Sequence, residues 1–195
     1  ITSSFLHANI LHILLNMWAL NNIGYYVERY YGGKKLILIY IFTAITASVI
    51  SFIVSFIGLM QNNSMAQGVI VSVGASGAIF GLVGVLLGNK LFKNKTYESE
   101  LNIDTRSLMF FVGLNIFLGF SFNFVGSGIY VNNWAHLGGL LGGLVLGMFL
   151  NTVNSFDTSK FKKTFEKVLY YLSVILFILA VSADIIFVIL NFINF

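Results

Sequence analysis

The stretch Val69-Ile70-Val71-Ser72-Val73-Gly74-Ala75-Ser76-Gly77-Ala78-Ile79-Phe80-Gly81-Leu82-Val83-Gly84-Val85-Leu86-Leu87-Gly88 carries no charge, and from Gly74 its glycines recur every three or four residues. An apolar run of this kind is long enough for a membrane-crossing helix, which needs about 20 residues. Glycines three or four apart share one helical face and let a second helix approach closely. A second run has the same character: Gly139, Gly143 and Gly147 follow Ala135-His136. The two glycine-rich runs are therefore expected to pack on each other, which would carry His136 to Ser76.

Working outward, six segments read as spans: Ala8 to Val27, Leu36 to Leu59, Val69 to Phe92, Leu108 to Val125, Trp134 to Val153 and Val168 to Phe192. None alternates in the way of a membrane β-strand. The composition agrees, with 57% hydrophobic and 9% charged residues, against about 25% charged in soluble domains. The fold class expected is all-α, a polytopic membrane helix bundle with six transmembrane helices.

The formal net charge of +4 suggests nucleic-acid binding until the charges are located. Arg29, Lys34 and Lys35 follow the first span. Lys90, Lys93, Lys95 and Arg106 lie around the end of the third and the start of the fourth. Lys160, Lys162, Lys163 and Lys167 precede the sixth. These are all 11 Lys and Arg residues of the chain. The loops Met60–Gly68 and Gly126–Asn133 have none. The positive-inside rule makes the charged loops cytoplasmic and the neutral loops outer. The expected partners are the lipid bilayer and membrane proteins, with no nucleic acid. The chain opens on Ile1 with no basic region before its first apolar run. It is read as continuing a longer protein, with one further helix upstream.

Chemistry concentrates at the outer ends. A serine hydroxyl needs a base to become a nucleophile, and histidine is the usual one. Ser76 and His136 sit at matching depth. His12 and Asn16 are four apart on the first span and share a face. With the Ser76 backbone N–H they are candidate donors to an oxyanion. Gly74 and Gly77 are expected to open the approach to the serine, and Phe80, one turn deeper, to pack on the imidazole. No Asp or Glu lies near the outer ends of the first five spans, so a Ser–His dyad is read in place of a triad.

A membrane serine is more often a packing residue, and glycine stripes also suit a transporter. Three histidines, His7, His12 and His136, raise a metal site, but no carboxylate or cysteine accompanies them; no metal and no cofactor are expected. His7 is read as structural. Glu28 is expected to pair with Arg29 or to cap a loop. Asp184, inside an apolar run, is read as a structural hydrogen bonder.

Three ordered elements carry a resemblance: His7-x4-His12-x3-Asn16, then Gly74-Ala75-Ser76-Gly77, then Ala135-His136-x2-Gly139-x3-Gly143. From Ile1 to about Leu150 the chain resembles the rhomboid intramembrane serine proteases. The resemblance implies a Ser76–His136 dyad, an oxyanion hole built with His12 and Asn16, and a structural role for Glu28-Arg29. It implies that residues 1–153 are helices two to six of the family core. Residues 154–195 are then a cytoplasmic linker and an additional helix. The implied activity is cleavage of single-pass membrane proteins near the outer membrane face, with a bacterial cell membrane as the expected setting. A catalytically dead relative would lack the serine or the histidine; both are here. Gly126, Gly128, Phe124 and Tyr130 are read as a gate for lateral entry of substrate.

Overall fold

The computed structural model describes residues 2–62, 73–92, 104–125, 131–153 and 159–193. A single 3-10 turn, Thr2–Phe5, precedes six helices: α1 (Ile10–Tyr31), α2 (Gly33–Asn62), α3 (Ser76–Phe92), α4 (Thr105–Val125), α5 (Asn133–Phe149) and α6 (Lys160–Ile193). Among the described residues there is no strand. The chain is a polytopic helical bundle, as its composition requires.

The helices start where the sequence offers caps. Asn9 accepts the His12 N–H and Asn132 accepts the Ala135 N–H. Asp104 accepts the Arg106 N–H at 3.0 Å and the Ser107 hydroxyl at 2.8 Å. Those two bonds, the hydroxyl's first, hold the Asp104 carboxyl below its usual range. Ser159 faces the Lys162 N–H at 3.4 Å. Side-chain oxygens satisfy donors that the first turn leaves open. α3 is different, because the residue before it is Ala75, whose side chain has no acceptor to offer.

The six spans expected from the sequence are present as helices, but their lengths differ. Among the described residues three are long and apolar enough to cross a membrane by themselves: Gly33–Gly58, Thr105–Phe124 and Lys160–Ala183. α3 and α5 have 17 residues each, about 25 Å at 1.5 Å per residue, short of the roughly 30 Å hydrocarbon core. The apolar run from Val69 predicted a longer third helix. The backbone turns at Gly74 instead, and α3 begins at Ser76. α1 is interrupted by His12, Asn16, Asn21 and Asn22, which lower its apolarity. α6 is longer than expected and starts at Lys160.

α3 is the central helix, buried from Gly77 to Asn89. Its most extensive contact is with α5, and α2 packs on both. The glycines explain why. A Cβ on Gly139 or Gly143 would collide with the carbonyl oxygens of Gly77 and Gly81. On Gly84 and Gly88 it would collide with those of Leu140 and Leu144. The backbones of α3 and α5 are therefore in contact. The single α3 stripe expected from the sequence is divided, however. Gly77 and Gly81 face Ala47 and Thr43 of α2, and Gly138 and Gly142 face Ile50 and Thr46. Small residues on α2 form the third wall.

α4 and α6 line the periphery. α4 is largely unburied, with Phe110, Phe117, Phe120 and Phe124 exposed. In a bilayer these surfaces meet lipid. Lys35 and Glu166 pair at 2.8 Å and tie the start of α2 to α6. Among the described residues no Glu28–Arg29 ion pair forms; Arg29 reaches the Tyr25 hydroxyl at 3.3 Å. The two residues are neighbours in sequence, and a helix turns neighbours 100° apart.

Candidate active site

The non-helical residues before Ser76 place it at the first position of α3. The first intrahelical bond here runs from the Ile79 N–H to the Ala75 carbonyl. The N–H groups of Ser76, Gly77 and Ala78 are first-turn donors that no capping side chain among the described residues takes up. They point at the space above the helix end, where the helix dipole favours negative charge.

The turn into this helix depends on Gly74. Its φ is 130°, a conformation open to glycine and strained for other residues. Its N–H donates to the Ser3 carbonyl at 2.9 Å. A Cβ there would lie 2.7 Å from His12 Cε1 and 2.8 Å from His12 Nε2. The imidazole of His12 therefore lies against Gly74. Ala8 N–H donates to His12 Nδ1 at 3.3 Å, so the ring proton sits on Nε2, the nitrogen that faces Gly74. Asn16 is buried; one amide N–H goes to the His12 carbonyl at 2.9 Å. Its Nδ2 also lies 3.8 Å from the Gly74 Cβ position. His12 and Asn16 thus bring side-chain donors to the corner from which Ser76 projects.

His136 comes from the first turn of α5. Its Nε2 lies 2.9 Å from Ser76 Oγ. The ring is 7% exposed, and its Nδ1 has no hydrogen-bond partner among the described residues. With the proton on Nδ1, Nε2 accepts from the Ser76 hydroxyl. Phe80 stacks on the imidazole with ring centroids 4.4 Å apart and planes 4° apart. One face of the histidine is thereby fixed by an apolar ring. The arrangement can take a proton from Ser76 and receive negative charge at the α3 end.

The structure brings Ser76, His136, Phe80, His12, Asn16, Gly74 and Gly77 together. Gly74 and Gly77 differ in one respect. Their missing side chains make room for the protein itself, His12 against Gly74 and Ala47 against Gly77. They support the site more than they open it. His7 packs edge-on against His12 with centroids 5.2 Å apart, and its two ring nitrogens are buried without partners among the described residues. The residues read as a gate fall largely outside the described residues: Gly126, Gly128 and Tyr130 do, as does 63–68 of the other outer loop. Phe124 is described and is 93% exposed. The Asp184 side chain also lies outside the described residues.

Sequence reasoning missed a polar brace. Asn132 caps α5 and donates to Ser51 Oγ of α2 at 2.5 Å. Asn123 of α4 exchanges two hydrogen bonds with the Val131 backbone, at 2.8 and 2.9 Å. Both fix the chain just before His136. An asparagine four residues before His136, at the foot of a glycine-rich helix, is a capping signal legible in the sequence. Its partner on α2 is not.

Comparison with known proteins places the chain in a family. The Rhomboid domain family model matches residues 1–153. RHOMBOID-like protein 6, mitochondrial, of Arabidopsis thaliana is 33% identical over 150 residues, which are 77% of this chain and 42% of that protein. Rhomboid-like protease 2 of Toxoplasma gondii is 33% identical over 147 residues, 75% of this chain and 45% of that protein. Rhomboid protease GluP of Bacillus subtilis (strain 168) is 34% identical over 143 residues, 73% and 24% respectively. The chain spans less than half the length of each of these relatives. With the family model matched over residues 1–153 and these identities across three distant organisms, the chain belongs to the rhomboid family.

Proposed function

We propose that this chain carries the catalytic core of an intramembrane serine endopeptidase, which cleaves transmembrane segments of single-pass membrane proteins near the outer membrane face. The observation that carries the reading is the 2.9 Å approach of His136 Nε2 to Ser76 Oγ at an uncapped helix end. Two of the relatives are named as proteases, which supports the same reaction class.

In this reading Ser76 Oγ attacks the scissile carbonyl carbon as its proton passes to His136 Nε2. The carbonyl oxygen becomes an oxyanion, met by the Ser76 N–H, His12 Nε2–H and Asn16 Nδ2–H. The tetrahedral intermediate collapses, the C–N bond breaks, and the His136 proton goes to the departing amine. Water then attacks the acyl-serine, with its proton taken by His136. The second collapse releases the new carboxylate and restores the Ser76 hydroxyl. The imidazolium has no carboxylate partner, but it lies on the Phe80 ring face, where a cation is favoured by about 0.5–2 kcal/mol.

A helical peptide bond is shielded by its own hydrogen bonds, so the substrate segment must be extended before attack. Weakly packed α4 is the natural side for entry from lipid. The protein is an integral multi-pass membrane protein. Its relatives come from a plant, an apicomplexan and a bacterium, and they give no particular support to a bacterial cell membrane.

A fluorophosphonate probe tests the mechanism on the full-length protein in bilayers. The expected result is a covalent adduct on Ser76, lost in Ser76→Ala and in His136→Ala together with cleavage of a model transmembrane substrate. Cleavage that persists in purified Ser76→Ala would overturn the mechanism.

A further inference from the structure

Residues 160–193 lie beyond the family match, and the proposed chemistry uses none of them. α6 has 34 residues, about 51 Å at 1.5 Å per residue, against a hydrocarbon core of about 30 Å. Part of α6 therefore stands outside the hydrocarbon, and its side chains identify which part. From Leu172 onward its large exposed residues are apolar, including Ile175, Ile178, Leu179 and Ile186. Tyr170 and Tyr171 are 48% and 62% exposed, and aromatic residues of this kind gather at the membrane–water boundary. The lysines lie N-terminal to them.

Lys160, Lys163 and Lys167 are all exposed. At 3.6 residues per turn they fall on one face, with Thr164 between them. The opposite side of the helix meets the bundle: Leu169 and Ser173 are buried, and Phe165 and Glu166 are half-buried. Glu166 is withdrawn from the stripe, because its Oε1 accepts from Lys35 Nζ and from the Asn151 N–H, each at 2.8 Å. Among the described residues α6 carries no other acidic side chain near these lysines. The same ion pair brings the start of α2, with exposed Lys34, to this end of the molecule.

We infer that the Lys160–Lys163–Lys167 face of α6 docks the headgroups of anionic phospholipids in the leaflet from which the helix emerges. Charge complementarity selects the ligand, since a zwitterionic headgroup offers no net charge to three ammonium groups. Position selects its source. Lys167 is about 4.5 Å along the axis from Tyr170 and Lys160 about 15 Å, so the stripe spans headgroup depth. Phe161, 68% exposed, flanks it and suits the upper acyl region. The Lys35–Glu166–Asn151 network holds the stripe in a fixed orientation on the bundle, so the lipid docks on an ordered surface. The inference stands independently of the proposed protease chemistry.

The chain has no cysteine, so Thr164→Cys provides a unique fluorophore site within the stripe. The full chain is reconstituted in phosphatidylcholine nanodiscs containing phosphatidylglycerol or phosphatidylcholine with a nitroxide on the upper acyl chain. Phosphatidylglycerol is expected to quench several-fold more than phosphatidylcholine, and salt should erode the difference. Each single Lys→Gln change should lower the preference about two- to fivefold, and K160Q/K163Q/K167Q should abolish it. R106Q, which removes a charge near the inner end of α4, should leave it intact. Thermal melting of each variant establishes that it is folded, and K163Q alone serves if the triple variant is not. Equal quenching by both lipids, or an unchanged preference in the folded lysine variants, overturns the inference. Displacement of the quenching lipid by an equal concentration of soluble glycerophosphate overturns the assignment to lipid.

Discussion

In the proposed mechanism Phe80 and the pair His12 and Asn16 serve the same serine but act on different charges. Phe80 stacks on the ring that would become positive; His12 and Asn16 lie beside Gly74, where the oxyanion would form. Phe80→Leu keeps an apolar filler and removes the π-face. Turnover should fall about two- to thirtyfold with KM nearly unchanged, from the 0.5–2 kcal/mol of a cation–π contact. His12→Ala and Asn16→Ala should each lower turnover by about a hundredfold or more, because an oxyanion donor is used only in the transition state. Steady-state kinetics on a transmembrane substrate separates the two. An intact turnover number in the His12→Ala/Asn16→Ala double variant removes both residues from the oxyanion role. Three motifs far apart in the sequence already marked these residues. The role of Gly74 was only half legible: its left-handed backbone suits the turn, but the His12 ring filling its Cβ position belongs to another helix.

Among the helices, α3 and α5 make the decisive contact. Their spacing is set by carbonyl oxygens resting on glycine Cα atoms, so one methyl group is enough to separate them. Gly139→Ala puts a Cβ into the Gly77 carbonyl, next to the Ser76–His136 pair. We expect a loss of about 1–3 kcal/mol or more in stability, as for overpacked cores, and a marked loss of fluorophosphonate labelling. Gly113→Ala on α4 is the contrast. Nothing lies within 4 Å of its Cβ position, so labelling should stay and helix propensity should hold or improve. Unchanged labelling in Gly139→Ala would mean that the dyad does not depend on this spacing. The glycine periodicity foretold that α3 and α5 touch. It did not foretell that α2 shares the contact, because Thr43, Thr46 and Ala47 look like ordinary membrane residues until their neighbours are known.

At the scale of the whole molecule, the bundle is held together differently at its two ends. The outer end has the polar brace of Asn132, Ser51 and Asn123 around the site. At the inner end Lys35, Glu166 and Asn151 join α2, α6 and the chain leaving α5. Glu166→Ala leaves the partly buried Lys35 with the Asn151 carbonyl alone. Stability should drop by about 1–2 kcal/mol, reduced by the partial exposure of both side chains. Labelling of Ser76 should be retained, since α6 supplies nothing to the site. Thermal melting and probe labelling on the same sample test this. Lost labelling at unchanged melting temperature would give α6 a part in the chemistry.

Fold class and family were legible in the chain, and the residues nominated for the site lie together in the bundle. Those follow from quantities local to the chain: apolar length, glycine period, the side on which lysines gather, and the order of three motifs. Where α3 begins, and so the placing of Ser76 at the first position of that helix, was decided only by the folded bundle. The apolar run from Val69 is long enough for helix throughout, and only the turn at Gly74, packed under His12 and bonded to Ser3, starts the helix at Ser76. The 2.9 Å approach of His136 to Ser76 was likewise settled by packing. A helical wheel ranks faces but cannot say which of two neighbours a small residue will meet, and here α2 and α5 divide the glycines of α3 between them. The Lys35–Glu166 pair lay hidden for the same reason: its partners are 131 residues apart, and only the folded bundle brings them within reach.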